Sequence, residues 1–381
     1  MENKKRLRVG ILFGGRSGEH EVSVASAASV MRALDTEKYE AVPIGIAKDG
    51  RWLVGAAAQK MTDQKILPEL LKTGERVVLP PDPSAAALVP LTGQSQPSVK
   101  IDVIFPVLHG TFGEDGTVQG LLDLAGVPYV GAGVIGSAVG MDKDMQKRIF
   151  RDAKLPIVPF LAISRHEWEK NRGKTLVAIK KKFRFPLFVK PATLGSSVGM
   201  TRVHNAAELP AAMDLAAEFA LKIIVERAIR GREIEVAVLG NAEPKAAIPG
   251  EIIPHREFYD YQAKYLESGT RLEIPAKLNK KQAAQFQDYA VRAFQSIECT
   301  GMARVDFFLE RGTGKIYLNE VNTIPGFTSI SMYPKMWEAT GLPYTELISR
   351  LIELAIEQHG EKARTKYSIE LPAGAGGALE G

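Results

Sequence analysis

The sequence predicts two unlike parts, an α/β domain followed by an α+β body. In about the first 130 residues, short apolar runs alternate with stretches of helical spacing, which is typical of a mainly parallel, layered sheet. Beyond that point, runs of strands follow one another through short turns, which favours antiparallel sheets with helices to one side. At 381 residues the chain is long enough for two or three domains with sizeable cores.

The N-terminal part is predicted from a strand–turn–helix order. "RLRVGILFGG" is an apolar run that ends in a glycine pair, and "EVSVASAASVMRAL" after it has helical spacing. "YEAVPIGIA" and "KIDVIFPVLHG" predict further strands, "TVQGLLDLAG" a helix and "VPYVGAG" one more short strand. Residues 54–100 have Pro and Ala clusters and little periodicity, so we expect a helix plus loops there.

The body begins with a helix at "MDKDMQKRIFRDA". "FPLFVKPATLGSSVGM" predicts a strand that runs into a small-residue loop, and "KIIVERAIRGREIEVAVLG" predicts two strands around a turn. "GMARVDFFLERGTGKIYLNEVN" predicts a β-hairpin with Gly312 and Gly314 in its turn, and "YTELISRLIELAIEQHG" a last helix. The domains we expect are residues 1–140, 141–225 and 226–365, followed by a flexible Gly/Ala-rich tail at 366–381.

The composition disfavours several classes of protein. The net charge of +5 comes from 49 basic and 44 acidic residues, a near balance that gives no strong attraction to nucleic acid. The single cysteine, Cys299, excludes a disulfide framework, and we expect it to be a buried apolar residue rather than a nucleophile. No run reaches the roughly 18 apolar residues of a membrane helix, and the N-terminus does not resemble a signal peptide. We therefore expect a cytoplasmic protein without a membrane or nucleic-acid partner.

The predicted hairpin carries polar side chains where a core face is expected. In "IYLNEVN" the isoleucine and the leucine lie two apart, and continuing that face by twos reaches Glu320 and Asn322. If Asp306 pairs with Glu320, then Arg304 lies opposite Asn322. Two carboxylates so close repel each other unless a cation lies between them, and hard oxygen ligands without His or Cys favour Mg²⁺ or Mn²⁺ over zinc. The alternative is a pair of surface acids with Arg304 in a salt bridge.

A phosphate-binding segment is predicted next to this site. In "VKPATLGSSVG", Lys190 ends a strand and precedes a loop of small residues whose N–H groups could cover phosphates. The lysine comes before the glycines, so this is not a P-loop, and an ordinary Gly/Ser loop is the alternative. Lys143, at the start of its helix, is a second candidate phosphate contact. "GGRSGE" lacks the GxGxxG spacing of a dinucleotide site, so NAD is not expected.

Taken together, these motifs resemble those of the D-alanine–D-alanine ligases of the ATP-grasp superfamily, from residue 7 to about residue 360. The motifs that carry the resemblance occur in this order: "GGRSGEHEVS", "LHGTFGEDGTVQG", "MDKDMQK", "VKPATLGSSVGM", "FYDYQAKY", "GMARVDFFL" and "NEVNTIPGFTSISMYP". The resemblance implies an N-terminal Rossmann-like parallel-sheet domain followed by a two-lobed ATP-grasp body. It also implies a homodimer.

The resemblance implies a complete set of nucleotide contacts. Two Mg²⁺ or Mn²⁺ ions at the ATP phosphates would be held by Asp306, Glu320 and Asn322. The phosphates themselves would be contacted by Lys143, Lys190 and Lys264. The adenine would be bordered by Glu226, Arg227, Ala228 and Ile229. Glu233 would take the ribose hydroxyls.

The amino-acid substrates are also assigned by the resemblance. Glu21 would bind the ammonium of the first D-alanine, with His109 close by. Ser196 and Tyr265 would join Glu21 in a hydrogen-bonded triad that closes a flap over the site. The tetrahedral intermediate would be stabilised by Arg304 and the Gly326 N–H. The carboxylate of the second D-alanine would be received by Ser331 and the backbone of Met332.

The reaction implied is the ATP-dependent joining of two D-alanines through an acyl phosphate, for peptidoglycan precursor synthesis. Water would destroy the acyl phosphate, so lids are needed, and we expect them at residues 192–199 and 256–268. One alternative is a ligase that takes D-lactate as second substrate. Tyr265 in "AKY" favours the dipeptide product over this alternative. Another is an ATP-binding module without ligase turnover. A carboxylase-like ATP-grasp enzyme is a third, but no feature of the sequence points to a bicarbonate site.

Overall fold

A computed structural model describes residues 6–55, 66–91, 98–196, 198–253, 271–328 and 330–367. Within these ranges the chain forms three β-sheets, each covered by helices. The helices are α1 (His20–Ala33), α2 (Ile66–Thr73), α3 (Thr117–Leu124), α4 (Val134–Met141), α5 (Lys143–Asp152), α6 (Arg165–Lys170), α7 (Arg172–Lys182), α8 (Leu209–Phe219), α9 (Lys280–Ser296), α10 (Met332–Ala339) and α11 (Tyr344–Ala363). No helix in these ranges has both the length and the apolar character needed to cross a membrane.

The first sheet has seven strands in the described ranges, in the order β6-β5-β4-β3-β2-β1-β7. Their bounds are β1 (Leu7–Gly14), β2 (Tyr39–Ile46), β3 (Trp52–Val54), β4 (Glu75–Val78), β5 (Ala87–Pro90), β6 (Val99–Lys100) and β7 (Val103–Pro106). β1 pairs in parallel with β2, to which α1 joins it, and also with β7. From β2 to β6 the pairing is antiparallel, so the sheet is mixed rather than mainly parallel.

The segment 54–100 is where the sequence-based prediction is incomplete. The expected helix is α2, but β4, β5 and β6 replace part of the expected loops, while residues 56–65 and 92–97 lie outside the described ranges. Strands of two to four residues are too short to show a period of two. "VPYVGAG" is also not a full strand, since only Tyr129 bridges to Ile104.

The second sheet is antiparallel, in the order β10-β9-β11-β8. It comprises β8 (Phe160–Ser164), β9 (Leu187–Pro191), β10 (Thr201–Val203) and β11 (Lys222–Arg227). Side chains from α6, α7 and α8, including Trp168, Ile179 and Met213, form a separate core with it. The domain boundary predicted at 225 lies inside β11, and the next strand belongs to another sheet. We therefore place this boundary between Arg227 and Gly231.

The third sheet is antiparallel and carries the predicted hairpin. Its order is β15-β14-β12-β16-β17, with β13 also paired to β12. The strands are β12 (Gly231–Gly240), β13 (Lys245–Ala246), β14 (Gly250–Ile253), β15 (Arg271–Glu273), β16 (Gly301–Glu310) and β17 (Ile316–Asn322). α9 covers its apolar face through Phe286, Ala290 and Phe294, in the core that also contains Cys299. Cys299 is thus the buried apolar residue that was expected, and burial raises the pKa of its thiol.

The hairpin has the predicted register and an unpredicted bulge. Asp306 pairs with Glu320 and Arg304 with Asn322, as expected. The register then shifts between Asp306 and Phe307, so that Asn319 is the extra residue of a β-bulge. The core face runs through Ile316, Leu318 and then Val321. The expectation that Glu320 and Asn322 continue the core face is therefore wrong: the bulge turns them to the opposite face, beside Arg304 and Asp306.

Candidate active site

A cavity of about 760 Å³ lies where the three sheets meet. The loops after β1 and β7 contribute to its wall from the first sheet, β9 and the following flap (residues 192–199) from the second, and β12, β16 and β17 from the third. Most predicted site residues that the structure describes line it, namely Glu21, His109, Lys143, Lys190, Ser196, Glu226, Glu233, Arg304, Asp306, Glu320, Asn322, Gly326, Ser331 and Met332. Lys264 and Tyr265, with the second predicted lid, lie outside the described residues.

The polar face of the hairpin is held by ion pairs. The Arg304 guanidinium donates two hydrogen bonds of 2.7 Å to the Asp306 carboxylate, and its Nε lies 3.1 Å from Glu235 Oε2. Burial alone would lower the pKa of Arg304, but Asp306 and Glu235 raise it well above its ordinary value. Asn322 Nδ2 donates to Asp306 at 2.9 Å, and Lys143 Nζ lies 3.1 Å from Glu320 Oε2. Each of the two carboxylates of the predicted metal site is thus paired with a cation of the protein.

This donor set fits Mg²⁺ or Mn²⁺. Asp306, Glu320 and Asn322 offer only oxygen ligands and all three face the cavity. The described residues contain no group of three or more His, Cys, Asp or Glu side chains placed to enclose a metal by themselves. A site of two carboxylates and one amide leaves coordination positions for phosphate oxygens, which is how Mg²⁺ is commonly held next to a nucleotide.

Helix α5 is fixed against the hairpin by its own side chains. Asp142 caps the helix by accepting from the N–H groups of Asp144 and Met145, at 3.0 and 3.2 Å. One turn further along, Gln146 accepts from Val321 N at 2.9 Å, and so pairs with the outer edge of β17. These contacts position Lys143, the first residue of the helix, beside Glu320 and within 3.0 Å of the Leu194 carbonyl in the flap.

Glu226 lies between two lysines. Lys190 Nζ is 2.6 Å from its Oε1, and Lys147 Nζ is 3.0 Å from its Oε2. Burial alone would raise the pKa of Glu226, but the two ammonium groups lower it. Of the other predicted adenine contacts, Arg227 pairs with Glu310 at 2.8 Å, and Arg227, Ala228 and Ile229 are not among the residues lining the cavity. Of the expected adenine-binding group, only Glu226 reaches the cavity wall.

The structure corrects the assignment of the acid that meets the flap. Ser196 Oγ donates to Glu19 Oε1, whereas Glu21 is paired with Lys48 at 2.6 Å and has a side chain 68% exposed. Glu19 is the N-cap of α1 and Glu21 is the second residue of the helix, so the two side chains point in widely different directions. The expected triad of Glu21, Ser196 and Tyr265 is therefore replaced, as far as the structure describes it, by a Glu19–Ser196 contact.

Two titratable groups lie beside Glu19, the buried His109 and the half-buried Glu114. His109 is buried, and desolvation lowers the pKa of its imidazole. Glu114 accepts from Gly110 N at 2.6 Å and from Ile324 N at 3.3 Å, so it joins the loop after β7 to the segment after β17. Burial, with a smaller effect of the Glu19 charge, raises the pKa of Glu114 to about 8.

The segment after β17 ends at a helix N-terminus that faces the cavity. Ser331 is the N-cap of α10, and its hydroxyl is hydrogen-bonded to Thr328 rather than to its own helix. A Cβ added to Gly326 would lie 2.8 Å from Ser331 Oγ, so the glycine permits a close approach of the backbone at residue 326 to Ser331. The N–H groups at the start of α10, with Met332 in the cavity wall, can receive an anion.

Sequence reasoning missed four residues that the structure brings to the site. Each had a weak signal. Glu19 stands two residues before Glu21 in "GEHE", and Glu114 stands in the motif "LHGTFGEDGTVQG". Lys147 follows Lys143 by four residues, which puts both on one face of a helix. Glu235 follows Glu233 by two residues in a strand, which puts both on one face of the sheet.

Comparison with known proteins finds relatives along most of the chain. The family model described as "D-ala D-ala ligase N-terminus" matches residues 8–132, and the one described as "D-ala D-ala ligase C-terminus" matches residues 149–353. The chain is 49% identical to the D-alanine–D-alanine ligase of Natranaerobius thermophilus over 366 residues, covering 94% of this chain and 98% of the relative. It is also 49% identical to the one from Solibacter usitatus, covering 95% and 99%.

Solved structures give the same result. The D-alanine–D-alanine ligase of Coxiella burnetii superposes with a TM-score of 0.82 at 39% identity, covering 94% of this chain and 96% of that one. The VanG D-Ala:D-Ser ligase of Enterococcus faecalis also has a TM-score of 0.82, at 36% identity, covering 92% and 100%. These structures carry the ATP-grasp arrangement that the sequence predicted. The chain belongs to the D-alanine–D-alanine ligase family.

Proposed function

We propose that this protein joins two D-alanine molecules to D-alanyl-D-alanine, with ATP converted to ADP and phosphate. Family membership supports this reaction. One structural observation supports assigning its steps to particular residues. A single cavity brings together the acidic face of the hairpin, the Ser196–Glu19 contact and the N-terminus of α10. These are a nucleotide-phosphate site, a site for an ammonium group and a site for a carboxylate.

In the first step the γ-phosphoryl group of ATP passes to the carboxylate of the first D-alanine. Phosphoryl transfer depends on positioning and charge neutralisation. Asp306, Glu320 and Asn322 would hold two Mg²⁺ or Mn²⁺ ions, which supply that neutralisation when bound. Lys143 and Lys190 donate to phosphate oxygens, a role also expected of Lys264, and Glu233 takes the ribose.

The carboxylates that would hold the metal ions are paired with two basic side chains of the protein. Asp306 now holds Arg304, and Glu320 now holds Lys143. If Asp306 and Glu320 held a metal ion, Lys143 would be available to contact the phosphates. Arg304 keeps Glu235 as its counter-ion, so it stays beside the cavity.

Glu19 holds the first D-alanine in place for phosphorylation. Its carboxylate accepts the substrate ammonium, with the buried His109 close by. The hydrogen bond from Ser196 closes the flap over this pair, and Tyr265 is expected to take part in the closure. The closed flap excludes water, which would otherwise hydrolyse the acyl phosphate.

In the second step the amine of the second D-alanine attacks the acyl phosphate, and phosphate leaves. The oxyanion that forms is stabilised by Arg304 and by the Gly326 N–H. The carboxylate of the second D-alanine binds at the N-terminus of α10, at Ser331 and the Met332 N–H. The Glu19 carboxylate and the N-terminus of α10 thus orient the two D-alanines so that a peptide bond can form between them.

The product would serve as a peptidoglycan precursor, made in the cytoplasm. Homodimer formation is a further prediction, which sedimentation equilibrium at micromolar protein concentration would check.

An ADP-release assay tests the proposed function. D-Alanine alone should stimulate ADP release, whereas release that requires added D-lactate or D-serine would identify a different second substrate. ATP binding without any amino-acid-dependent release would identify a module without turnover. The D-serine arm matters because one structural relative is a D-Ala:D-Ser ligase.

Two variants test whether the proposed site residues are needed for the activity measured in this assay. Asn322→Ala should raise the KM for Mg-ATP about tenfold, because the metal site loses a ligand. Ser196→Ala should lower kcat about tenfold, because the flap loses its contact with Glu19. Asn205→Ala, in an exposed turn, is the matched control and should behave as the wild type. Unchanged kinetics in both site variants would remove this assignment of the site.

A further inference from the structure

Lys147 is a charged side chain with no exposed surface. Its relative exposure is 0%, and it is among the largest fully buried side chains of the described residues. Its ammonium lies 3.0 Å from Glu226 Oε2 and 5.8 Å from the centre of the Phe160 ring. Burying an ammonium group is costly unless it is paired, so an uncharged residue of similar length would serve packing alone at least as well. The charge itself therefore requires an explanation.

Helix geometry places Lys147 one turn behind Lys143. The two residues are four apart in α5 and so lie on one face of the helix. Lys143 reaches the cavity wall, whereas Lys147 lies deeper and does not line the cavity. Glu226 stands between Lys147 and the open space, and its other oxygen holds Lys190.

Lys147, Lys190 and Glu226 together have a net charge of +1. A nucleotide bound in the cavity would interact with this net positive charge. If Glu226 had only Lys190 as a partner, the pair would be neutral, and Lys190 would have to leave an unpaired buried carboxylate in order to contact phosphate. With Lys147 behind it, Glu226 keeps a cation when Lys190 turns away. Burial lowers the pKa of Lys147, while Glu226 acts in the opposite direction.

We propose that Lys147 is a positioning residue for nucleotide binding: its ammonium neutralises Glu226 from inside the protein, so that Lys190 can donate to the phosphates of ATP. This inference rests on the proposed nucleotide site and adds to it a group that touches no substrate. The inference predicts a specific pattern among variants. The effect of removing the Lys147 charge must depend on whether residue 226 is an acid.

The test measures the Kd for Mg-ATP by calorimetry in four proteins: wild type, Lys147→Met, Glu226→Gln and the double variant. Lys147→Met should weaken nucleotide binding about tenfold, because Lys190 is then retained by Glu226. The double variant should bind within about threefold of Glu226→Gln, because no buried carboxylate is left to hold Lys190. Arg151→Met removes a cation from an exposed position of the same helix and should leave the Kd unchanged.

Steady-state kinetics separate positioning from a general loss of structure. Lys147→Met should raise the KM for ATP about tenfold and change the KM for D-alanine by less than about twofold. Lys147→Gln, which keeps a hydrogen-bond donor without the charge, and the double variant maintain the test if Lys147→Met does not fold. Wild-type affinity in a folded Lys147→Met protein would overturn the inference. So would a double variant that binds as weakly as Lys147→Met while Glu226→Gln binds well.

The wild-type protein distinguishes this inference from the proposed function. A wild type that binds Mg-ATP but releases no ADP with D-alanine contradicts the proposed function and leaves the comparison of Lys147 variants intact. A wild type that binds no nucleotide overturns both.

Discussion

Two neighbouring acids, Glu19 and Glu21, both line the cavity but differ in exposure and in hydrogen-bond partner. Glu19 ends the loop before α1 and accepts a hydrogen bond from the flap residue Ser196, so the proposed flap closure and the proposed ammonium binding involve the same carboxylate. Glu21 faces solvent and pairs with Lys48. An exposed ion pair of this kind contributes little to stability or binding.

We expect Glu19→Gln and Glu21→Gln to separate these roles. Glu19→Gln should lower kcat/KM for D-alanine about 100-fold, because the substrate ammonium loses a charged partner in a closed site. Glu21→Gln should stay within about threefold of the wild type. The measurement is ADP release as a function of D-alanine concentration at saturating ATP. The reverse order of the two effects would contradict the placement of Glu19.

We expect Glu114 to make the stability of the protein depend on pH. Its pKa is raised from an ordinary value of 4.5 to about 8, first by burial and then by the Glu19 charge. Between these pH values the folded state binds one more proton than the unfolded state. Raising the pH therefore lowers the free energy of unfolding, by at most about 1.4 kcal/mol per pH unit.

Glu114→Gln should flatten this dependence. The amide cannot ionise, so the decline in stability between pH 5 and pH 8 should be shallower in the variant than in the wild type. Urea unfolding at several pH values in this window measures the slope. Asp82→Asn is a suitable control, because that exposed carboxyl has a lowered pKa and titrates below the window. Parallel curves for Glu114→Gln and the wild type would contradict the prediction.

At the scale of elements, the turn from β17 into α10 forms the proposed binding site for the second substrate. Gly326→Ala should lower kcat/KM for D-alanine at least about tenfold, because the new Cβ displaces Ser331 from the start of α10. Gly312→Ala, in the hairpin turn, has a positive φ of 81° and open space around it. It should cost about 1 kcal/mol in stability and leave activity unchanged.

Thermal unfolding and ADP release, measured on both glycine variants, give the comparison. A Gly326→Ala protein that retains wild-type kcat/KM would show that this turn does not constrain the second substrate. Loss of activity in Gly312→Ala would show that the kinetics report stability rather than the site.

The sequence predicts elements whose apolar residues recur with a regular period. It does not predict the positions where that period is interrupted. The pairing of Asp306 with Glu320 followed from simple antiparallel register and is confirmed. The face on which Glu320 lies did not follow, because one extra residue at Asn319 reverses the alternation. From the sequence, only Glu21 is predicted to meet the flap. Which acid meets the flap depends on the residue at which α1 begins, and helix ends are the least determined feature of a sequence pattern.

At the scale of the whole molecule, the first strand and the last helix of the described residues share one core. Val9 and Phe13 in β1 pack in the same cluster as Leu351 in α11. Phe105 of the first sheet meets Phe327 edge to face, with ring centroids 5.6 Å apart. The second sheet has a separate core with α6, α7 and α8. Stability of the N-terminal sheet therefore depends on a helix more than 200 residues away in sequence, a dependence that no local pattern reveals.

The three tryptophans make this coupling measurable, since Trp52 lies in the first sheet, Trp168 in the second core and Trp337 in the shared core. Leu351→Ala should destabilise by about 2–5 kcal/mol through the cavity it leaves. In single-tryptophan variants, the urea midpoints reported by Trp52 and Trp337 should fall together, and that of Trp168 should fall less. Met213→Ala, in the second core, should give the opposite pattern. Independent midpoints for Trp52 and Trp337 after Leu351→Ala would show that the two ends of the chain unfold separately despite their common core.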